Sequence, residues 1–365
     1  GLNNIGATCF MNATLQCLSQ TRALTNYFLN ESNKTKIMNN NIYLNNKNES
    51  QLSPVYYELI QHLWEKNSTK SYSPYNFMNK INEMNTLFKL GQAGDSKDFI
   101  IYILEQLHKE LNASVIEKNS NNSKVNIPYD RYDKENAFNY FFNNFQKNCS
   151  IISDIFFGVN QTTNTCLNCK NNYNSQNLAN PICYNYEIFN CIIFPLEEVR
   201  KTKYNSSQNN YLNQINNNII SIYDCFSYNQ RDDLFTGQNQ NFCNKCKQTF
   251  DSIYNLSIYI SPNVLILILN RGKDNMYDVK LNFDETIDIT NYVIMKDKPR
   301  IIYDLYGVIT HHGESGPNAH FIASCKSPID NKWYRYNDAI VTSINNIQSD
   351  VINFGKPYIL FYKKC

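Results

Sequence analysis

The chain has 365 residues, a net charge of +2 at pH 7 and a pI of about 7.9. Its length allows one large domain or two or three lobes, and its near-neutral charge argues against nucleic acid or an anionic membrane as a partner. No apolar run reaches the roughly 20 residues that span a bilayer, and no signal-peptide pattern opens the chain. Twelve cysteines are sparse at this length. We therefore expect an intracellular protein (cytoplasm or nucleus) that binds neither nucleic acid nor membranes.

The opening stretch places a cysteine where a helical pattern begins. A turn of small residues precedes Cys9, and apolar residues recur at helical spacing after it: Met11, Leu15 and Leu18. At the first turn of a helix, free backbone N–H groups and the positive end of the macrodipole favour thiolate over thiol. The pattern thus predicts a nucleophile with a lowered pKa, although a single cysteine is more often a small buried hydrophobe.

Helices and polar segments alternate in the first part of the chain. Residues 30–50 are rich in Asn and Lys and predict a long solvated loop. Helical spacing over 56–64 and again over 95–111 predicts two amphipathic helices. Residues 112–127 and 201–218 are polar and Asn-rich, which predicts loops or insertions.

From about residue 150 the pattern changes to short strands. The run 264–269 is apolar on both faces and predicts a central buried strand. Four further strands are predicted, at 301–310, 320–325, 333–336 and 357–362. Helices first and strands later predict an α+β fold.

A cysteine nucleophile needs a base, and His320 is the best candidate. His62 and His108 fall in the amphipathic helices, whereas His320 follows the bendable loop 313–319 and opens a strand. A histidine at the rim of a sheet can meet a helix from elsewhere in the fold.

The third member of a Cys-His triad would orient the imidazole. Asn337 can accept a hydrogen bond from the ring, as in Cys-His-Asn proteases. Asp338 can do the same with a charge that also steadies the imidazolium. Both residues could instead be ordinary turn residues after a strand.

These stretches resemble the ubiquitin-specific proteases, which are papain-like cysteine proteases. Residues 1–12 resemble the family's cysteine box, 303–338 its histidine box and 356–363 its closing strand, so the likeness spans essentially the whole chain. Two positions depart from the pattern: Ala319 stands where a glycine usually precedes the histidine, and Phe321 stands where tyrosine is usual.

The resemblance implies roles by position. Cys9 is the nucleophile, His320 the general base and acid, and Asn337 the third triad member, with Asp338 as a possible substitute. Asn4 resembles the family's oxyanion-hole amide, although an Asn that caps a turn is also common.

Residues 94–99 resemble the family's glutamine-rich box, with Gly94 in place of a glutamine and Asp98 in place of a glutamate. In that family two acidic residues pair with arginines of the ubiquitin tail, which implies substrate binding by Asp95 and Asp98. Asp95 as a helix N-cap and Asp98 at the third helical position are an equally simple explanation, and both roles can hold at once.

Two Cys-x-x-Cys pairs predict a metal site. Cys166 with Cys169 and Cys243 with Cys246 supply four thiolates for a tetrahedral Zn²⁺. Redox pairs are the alternative, but neither pair lies in a thioredoxin-like pattern. A zinc ion with four protein ligands is structural and not catalytic. The resemblance places it in the family's fingers region.

The resemblance implies one catalytic domain over 1–365, with a helical thumb (about 1–150), zinc-clipped β fingers (about 151–260) and a β palm (about 261–365). It implies a deubiquitinating thiol protease that hydrolyses the isopeptide or peptide bond after the C-terminal glycine of ubiquitin through a thioester. The resemblance also implies a monomeric domain whose partners are ubiquitin or ubiquitinated proteins. An inactive ubiquitin-binding scaffold of the same fold is the alternative. A zinc-ribbon nucleic-acid module is disfavoured by the charge.

Overall fold

The computed structural model describes residues 1–38, 51–65, 70–112, 129–146, 148–176, 182–205, 218–273, 276–313 and 319–365. The polar segments predicted at 112–127 and 201–218, and the loop 313–319, fall largely outside these stretches. Within them, helices dominate up to residue 156 and strands dominate beyond it, which confirms the predicted α+β fold.

The described residues form eleven α-helices. Their bounds are α1 Cys9–Ser19, α2 Arg22–Leu29, α3 Glu31–Met38, α4 Ser53–Leu63, α5 Tyr75–Met84, α6 Ser96–Leu111, α7 Lys134–Phe145, α8 Ile151–Phe156, α9 Leu167–Gln176, α10 Leu196–Asn205 and α11 Ile222–Asn229. Helices α4 and α6 confirm the two amphipathic helices predicted from the spacing. None of these described helices has the length and apolarity to cross a bilayer.

Helix α3 corrects the prediction of a loop over 30–50, of which residues 39–50 lie outside the described part. The helix is polar, but Ile37 is fully buried and anchors it to the core. Glu31 stands in its first turn and Lys36 in its last, the arrangement that the helix dipole favours. One anchor and favourable end charges are enough for a short helix packed on α4.

Sixteen strands are described. Their bounds are β1 Gly158–Cys166, β2 Ile182–Phe189, β3 Ile192–Pro195, β4 Ile219–Ser221, β5 Asp233–Phe235, β6 Asn241–Cys243, β7 Gln248–Phe250, β8 Ser252–Ile260, β9 Val264–Asn270, β10 Lys280–Asn282, β11 Thr286–Asp288, β12 Ile302–His312, β13 His320–Lys326, β14 Trp333–Asn337, β15 Ile340–Ile344 and β16 Lys356–Lys364.

The largest sheet has the order β15-β14-β13-β12-β16-β9-β3, with β11 paired to β12. Its pairs are antiparallel except for β3 with β9. Strand β9 lies between β16 and β3 and is buried on both faces, which confirms the central strand predicted at 264–269. The four other predicted strands are confirmed as β12, β13, β14 and β16.

A second sheet, in the order β2-β1-β8-β5, and the hairpin β6-β7 come from the segment predicted as fingers. Some of residues 151–260 belong to neither the second sheet nor this hairpin. Strand β3 joins the largest sheet, and buried residues of α10, β4 and α11 pack in the core on one face of that sheet. The segment is therefore divided between the two sheets.

Two apolar cores cover the two faces of the largest sheet. Helix α1 lies in the first core, packed on β13 and α6, and every one of its residues is buried. The burial includes polar side chains such as Asn12, Thr14 and Gln16. The helix that begins at Cys9 is thus a central element of the fold and not an amphipathic surface helix.

Candidate active site

Cys9 is the first residue of α1, at the helix start that the sequence predicts. Gly6 and Ala7 have positive φ angles of 122° and 53°, so the chain turns sharply before the helix. Asn4 holds this turn: its Oδ1 accepts hydrogen bonds from the backbone N–H groups of Gly6 (3.2 Å) and Thr8 (3.1 Å). The thiol is therefore presented by a fixed turn on a buried helix.

The environment of Cys9 keeps its thiol protonated. Burial raises the pKa of Cys9 above its ordinary value of 9.0, and the Asp338 carboxylate acts in the same direction. Backbone N–H groups of Phe321 and Phe10 lower the pKa, but burial outweighs them. The prediction of a lowered pKa is therefore wrong for the free chain, because the sequence does not reveal how deeply the sulfur is buried. Attack by Cys9 requires a base.

His320 opens β13 and is bound to Asn337. The ring Nε2 lies 2.6 Å from Asn337 Oδ1. A carboxamide oxygen can only accept, so Nε2 donates its proton and Nδ1 keeps its lone pair. The bond orients the ring and leaves one basic nitrogen.

The start of β13 meets the beginning of α1. Helix α1 packs on β13, and the backbone N–H of Phe321, the residue after His320, lies close enough to Cys9 to lower the pKa of its thiol. Among the described residues no hydrogen bond joins Cys9 Sγ to the His320 ring, whose bond to Asn337 occupies Nε2. Nδ1 is thus the nitrogen available to a thiol that lies beside the next residue of the strand.

Asp338 makes different contacts from Asn337. Its carboxylate accepts hydrogen bonds from Asn4 Nδ2 (3.0 Å) and Asn12 Nδ2 (2.7 Å), and its carbonyl accepts one from the Leu2 N–H (3.0 Å). Asp338 has a φ of 49° and leaves the direction of β14. It therefore supports the turn before Cys9, and the described contacts do not join it to His320.

Asn12 is a residue of this network that the sequence reasoning missed. It is 2% exposed, and besides Asp338 its Nδ2 contacts the carbonyl oxygens of Leu2 (3.4 Å) and Asn3 (3.3 Å). The available signal was an amide one turn after Cys9 in a helix whose neighbouring positions are apolar.

Asp95 and Asp98 lie at the N-terminus of α6. Asp95 caps the helix, since its Oδ1 accepts a hydrogen bond from the Lys97 N–H at 2.7 Å, and both of its oxygens also accept from the Tyr358 hydroxyl. Asp98 is in the first turn with its side chain 55% exposed, 3.6 Å from Lys97 Nζ. The capping role is confirmed for Asp95, which is half-buried, whereas Asp98 is exposed.

The four Cys-x-x-Cys sulfurs form one cluster. Cys166 ends β1, Cys169 lies in α9, Cys243 ends β6 and Cys246 lies in the turn after it; all four Sγ atoms lie within 4.8 Å of one another. Three of the separations are 3.9, 3.7 and 3.2 Å. Zn–S bonds of about 2.3 Å in a tetrahedron put sulfurs about 3.8 Å apart. The cluster can hold a metal ion, and its donor set suits zinc.

The sequence matches the family model described as "Ubiquitin carboxyl-terminal hydrolase" over residues 1–362. Similar curated proteins include Ubiquitin carboxyl-terminal hydrolase 2 of Bos taurus (24% identical) and of Homo sapiens (25% identical), each aligned over 370 residues that cover 100% of this chain and 54% of the relative. Ubiquitin carboxyl-terminal hydrolase 21 of Homo sapiens is 23% identical over 393 residues, which cover 100% of this chain and 61% of the relative. The chain thus spans little more than half the length of these relatives.

Solved structures share the fold. The chain is similar to the structure described as "Structure of the SAGA Ubp8/Sgf11/Sus1/Sgf73 DUB module bound to ubiquitin aldehyde", with a TM-score of 0.69, 21% identity and coverage of 100% of this chain and 69% of that chain. A second one, "Structure of the Ubp8-Sgf11-Sgf73-Sus1 SAGA DUB module", gives a TM-score of 0.62 at 21% identity, with 100% and 67% covered.

Proposed function

The chain belongs to the ubiquitin carboxyl-terminal hydrolase family, and from this premise we propose that it is a deubiquitinating thiol protease. It hydrolyses the isopeptide or peptide bond after the C-terminal glycine of ubiquitin. The observation that supports the proposal is the meeting of α1 and β13: Cys9 begins the helix that packs on the strand opened by His320, and Asn337 orients the His320 ring with Nδ1 free.

The proposed reaction begins with proton transfer. His320 Nδ1 accepts the Cys9 proton as the sulfur attacks the glycine carbonyl carbon. The imidazolium then protonates the departing lysine amine, and a thioester remains on Cys9. Water attacks the thioester with His320 as the base, which releases ubiquitin with a free carboxylate and restores the thiol. A Cys9 thiol with a raised pKa makes this general base necessary.

Asn4 is the proposed side-chain donor to the oxyanion. One Nδ2 hydrogen bonds to Asp338, and the carboxamide has a second hydrogen for the developing tetrahedral oxygen. Such a donor lowers the barrier by about 3 kcal/mol. Asp338 is then a support for Asn4, while Asn337 is the third member of the triad.

Asp95 and Asp98 are the proposed contacts for arginines of the ubiquitin tail. Asp95 is the N-cap of α6 and Asp98 lies in its first turn, and neither has a buried ion-pair partner among the described residues. The proposed role therefore adds to the cap that Asp95 provides.

The cysteine cluster is a proposed structural zinc site, with Cys166, Cys169, Cys243 and Cys246 as the ligands. Bound zinc would tie the end of β1 to the β6-β7 hairpin. With four thiolate ligands it has no open position for substrate, so it would stabilise the fingers and take no part in the hydrolysis.

The experiment is turnover of a ubiquitin C-terminal fluorogenic amide. Wild type should release the fluorophore, and Cys9→Ser should not. Cys149→Ser, which changes a half-buried thiol just beyond α7, is the matched control and should retain activity. The alternative, an inactive ubiquitin-binding scaffold, predicts that wild type and Cys9→Ser both bind ubiquitin and that neither turns the amide over.

We further propose that the domain acts as a monomer in an intracellular compartment.

A further inference from the structure

A hydroxyl from the far end of the chain holds the carboxylate at the start of α6. We propose that Tyr358 is a positioning residue, which fixes the Asp95 carboxylate so that it receives a cationic side chain of the substrate. This inference rests on the proposed function and adds a residue to it.

The contacts fix the orientation of the carboxylate. The Tyr358 hydroxyl lies 2.8 Å from Asp95 Oδ1 and 2.7 Å from Oδ2, so it bridges both oxygens. The Lys97 N–H binds Oδ1 on the helix side. Asp95 therefore has donors on two sides. The residue is only half-buried, and its carboxylate keeps lone pairs for a further donor.

Tyr358 lies on the opposite side of β16 from the one that the regular alternation of side chains along a strand predicts. Ile359 and Phe361 face the core that contains α1, and Leu360 and Tyr362 face the opposite core. Strict alternation would place Tyr358 with Leu360 and Tyr362. It lies instead in the core of Ile359, the side on which α6 packs.

A β-bulge causes this change of side. In the β12–β16 pairing, Ile309 is opposite Ile359 but Thr310 is opposite Pro357, so Tyr358 is the extra residue. The extra residue shifts the pairing register by one residue and re-aims a side chain, and bulges are frequent beside active sites. The bulge directs the Tyr358 hydroxyl to Asp95.

The ring of Tyr358 is held beside the catalytic strand. Its centroid lies 5.5 Å from that of Phe321, which in turn makes an edge contact of 5.0 Å with His311. Phe321 has no hydroxyl, so Tyr358 supplies the phenolic donor of this cluster. Burial raises the pKa of Tyr358, with the Asp95 charge acting in the same direction, and the hydroxyl therefore stays protonated as a donor.

The charge of Asp95 is available to a ligand. Among the described residues no cationic side chain lies within 4.0 Å of its carboxylate, because Lys97 Nζ is directed to Asp98. His311 is near Asp95, but burial lowers its pKa below the ordinary 6.5 and leaves it neutral at pH 7. A negative carboxylate held by neutral donors at the start of α6 suits a guanidinium or ammonium group of the substrate.

The test is a cycle between enzyme and substrate variants. Wild type and Tyr358→Phe are compared on the ubiquitin fluorogenic amide and on the same amide with each tail arginine replaced by alanine in turn. Tyr362→Phe is the matched control, because it removes a phenol on the same strand that donates to the Asp284 carbonyl at 2.7 Å in the opposite core.

We expect Tyr358→Phe to raise KM about 3- to 10-fold on the unmodified substrate, with kcat within about twofold. On one of the arginine-substituted substrates, the KM values of Tyr358→Phe and wild type should differ by less than about twofold. Tyr362→Phe should have the KM of the wild type on every substrate. The proposal would be overturned if Tyr358→Phe left KM unchanged on the unmodified substrate. It would also be overturned if Tyr358→Phe raised KM by the same factor on every substrate and lowered Tm strongly, because Tyr358 would then have a purely structural role. Absence of turnover by the wild type would instead remove the proposed function itself.

Discussion

Asp338 binds Asn4: its Oδ2 accepts a hydrogen bond from the Asn4 Nδ2 at 3.0 Å. Asn4 lies in the turn before Cys9, and Asp338 directly follows β14, which also carries Asn337. One strand end thus serves two parts of the proposed site, with Asn337 directed to the imidazole and Asp338 to the carboxamide.

Asn4 and Asp338 should act as a unit. We expect Asn4→Ala to lower kcat about 10²- to 10³-fold, as for loss of an oxyanion donor. Asp338→Ala should lower kcat less, because the carboxamide stays but loses its support. The kcat of the double variant should be no more than about threefold lower than that of Asn4→Ala. Asn3→Ala is the control, since that amide donates to Ser73 Oγ at 2.7 Å. Losses that multiply in the double variant would contradict the coupling.

Asn337→Ala should lower kcat/KM about 10²-fold or more, because the imidazole loses the acceptor that fixes its tautomer. Asn337→Asp should retain most activity, since a carboxylate accepts the same Nε2 proton. The measurement is initial rate on the fluorogenic amide at several pH values. A larger loss in Asp338→Ala than in Asn337→Ala would refute the assignment of Asn337 as the third triad member.

The thiol of Cys9 should react slowly at neutral pH in the substrate-free protein. Its pKa is raised, mainly by burial, so labelling with iodoacetamide should increase as pH rises beyond the ordinary value of 9.0. Peptide mass spectrometry follows Cys9 separately from the other cysteines. Asp338→Asn should shift the profile to lower pH, because it removes a charge that raises the pKa. A labelling midpoint below pH 8 in the wild type would contradict this prediction, because it would show that the helix N-terminus affects the pKa of Cys9 more than burial does.

The same raised pKa makes a stability prediction. The folded chain releases the Cys9 proton at higher pH than the unfolded chain does. The contribution of Cys9 to the free energy of unfolding is therefore constant below the ordinary value of 9.0 and declines as the pH rises from there to the raised value. The measurement is urea unfolding at pH values from 8 up to the raised pKa of Cys9. Over this range the free energy of unfolding should fall less in Cys9→Ser than in the wild type. Parallel curves for the two proteins would contradict this.

Removal of the metal should destabilise the fingers. Protein purified without chelator should contain about one zinc ion per chain, and Cys169→Ser should lose it and lower Tm by more than about 5 °C. Cys149→Ser, outside the cluster, should keep both the zinc and the Tm. Zinc-free wild-type protein with an unchanged Tm would remove the zinc site.

The sequence predicted the parts of the site that depend on local pattern. Cys9 begins a helix and His320 begins a strand, because turn residues and strand periodicity are local features. The four paired cysteines converge although the two pairs are far apart in the sequence, as their number and Cys-x-x-Cys spacing predicted. The choice between Asn337 and Asp338 could not be made from the pattern. It depends on the positive φ at Asp338, which turns the second side chain away from the first.

Two further features depend on tertiary packing alone. The pKa of Cys9 is set by burial under the first core, which outweighs the local effect of the helix start. The contact of Tyr358 with Asp95 depends on a bulge in a strand whose sequence gives no sign of it. Helix α3 was missed for a related reason, since a single buried isoleucine is invisible to a periodicity argument.

Helix α1 has no solvent-facing side, since all of its residues are buried. Substitutions along it therefore disturb packing wherever they fall, and the direction in which the sulfur points cannot be tuned through its own helix. Adaptation of this scaffold to new conjugates would have to come from the opposing strands and the surfaces around them, while the nucleophile stays where the core holds it.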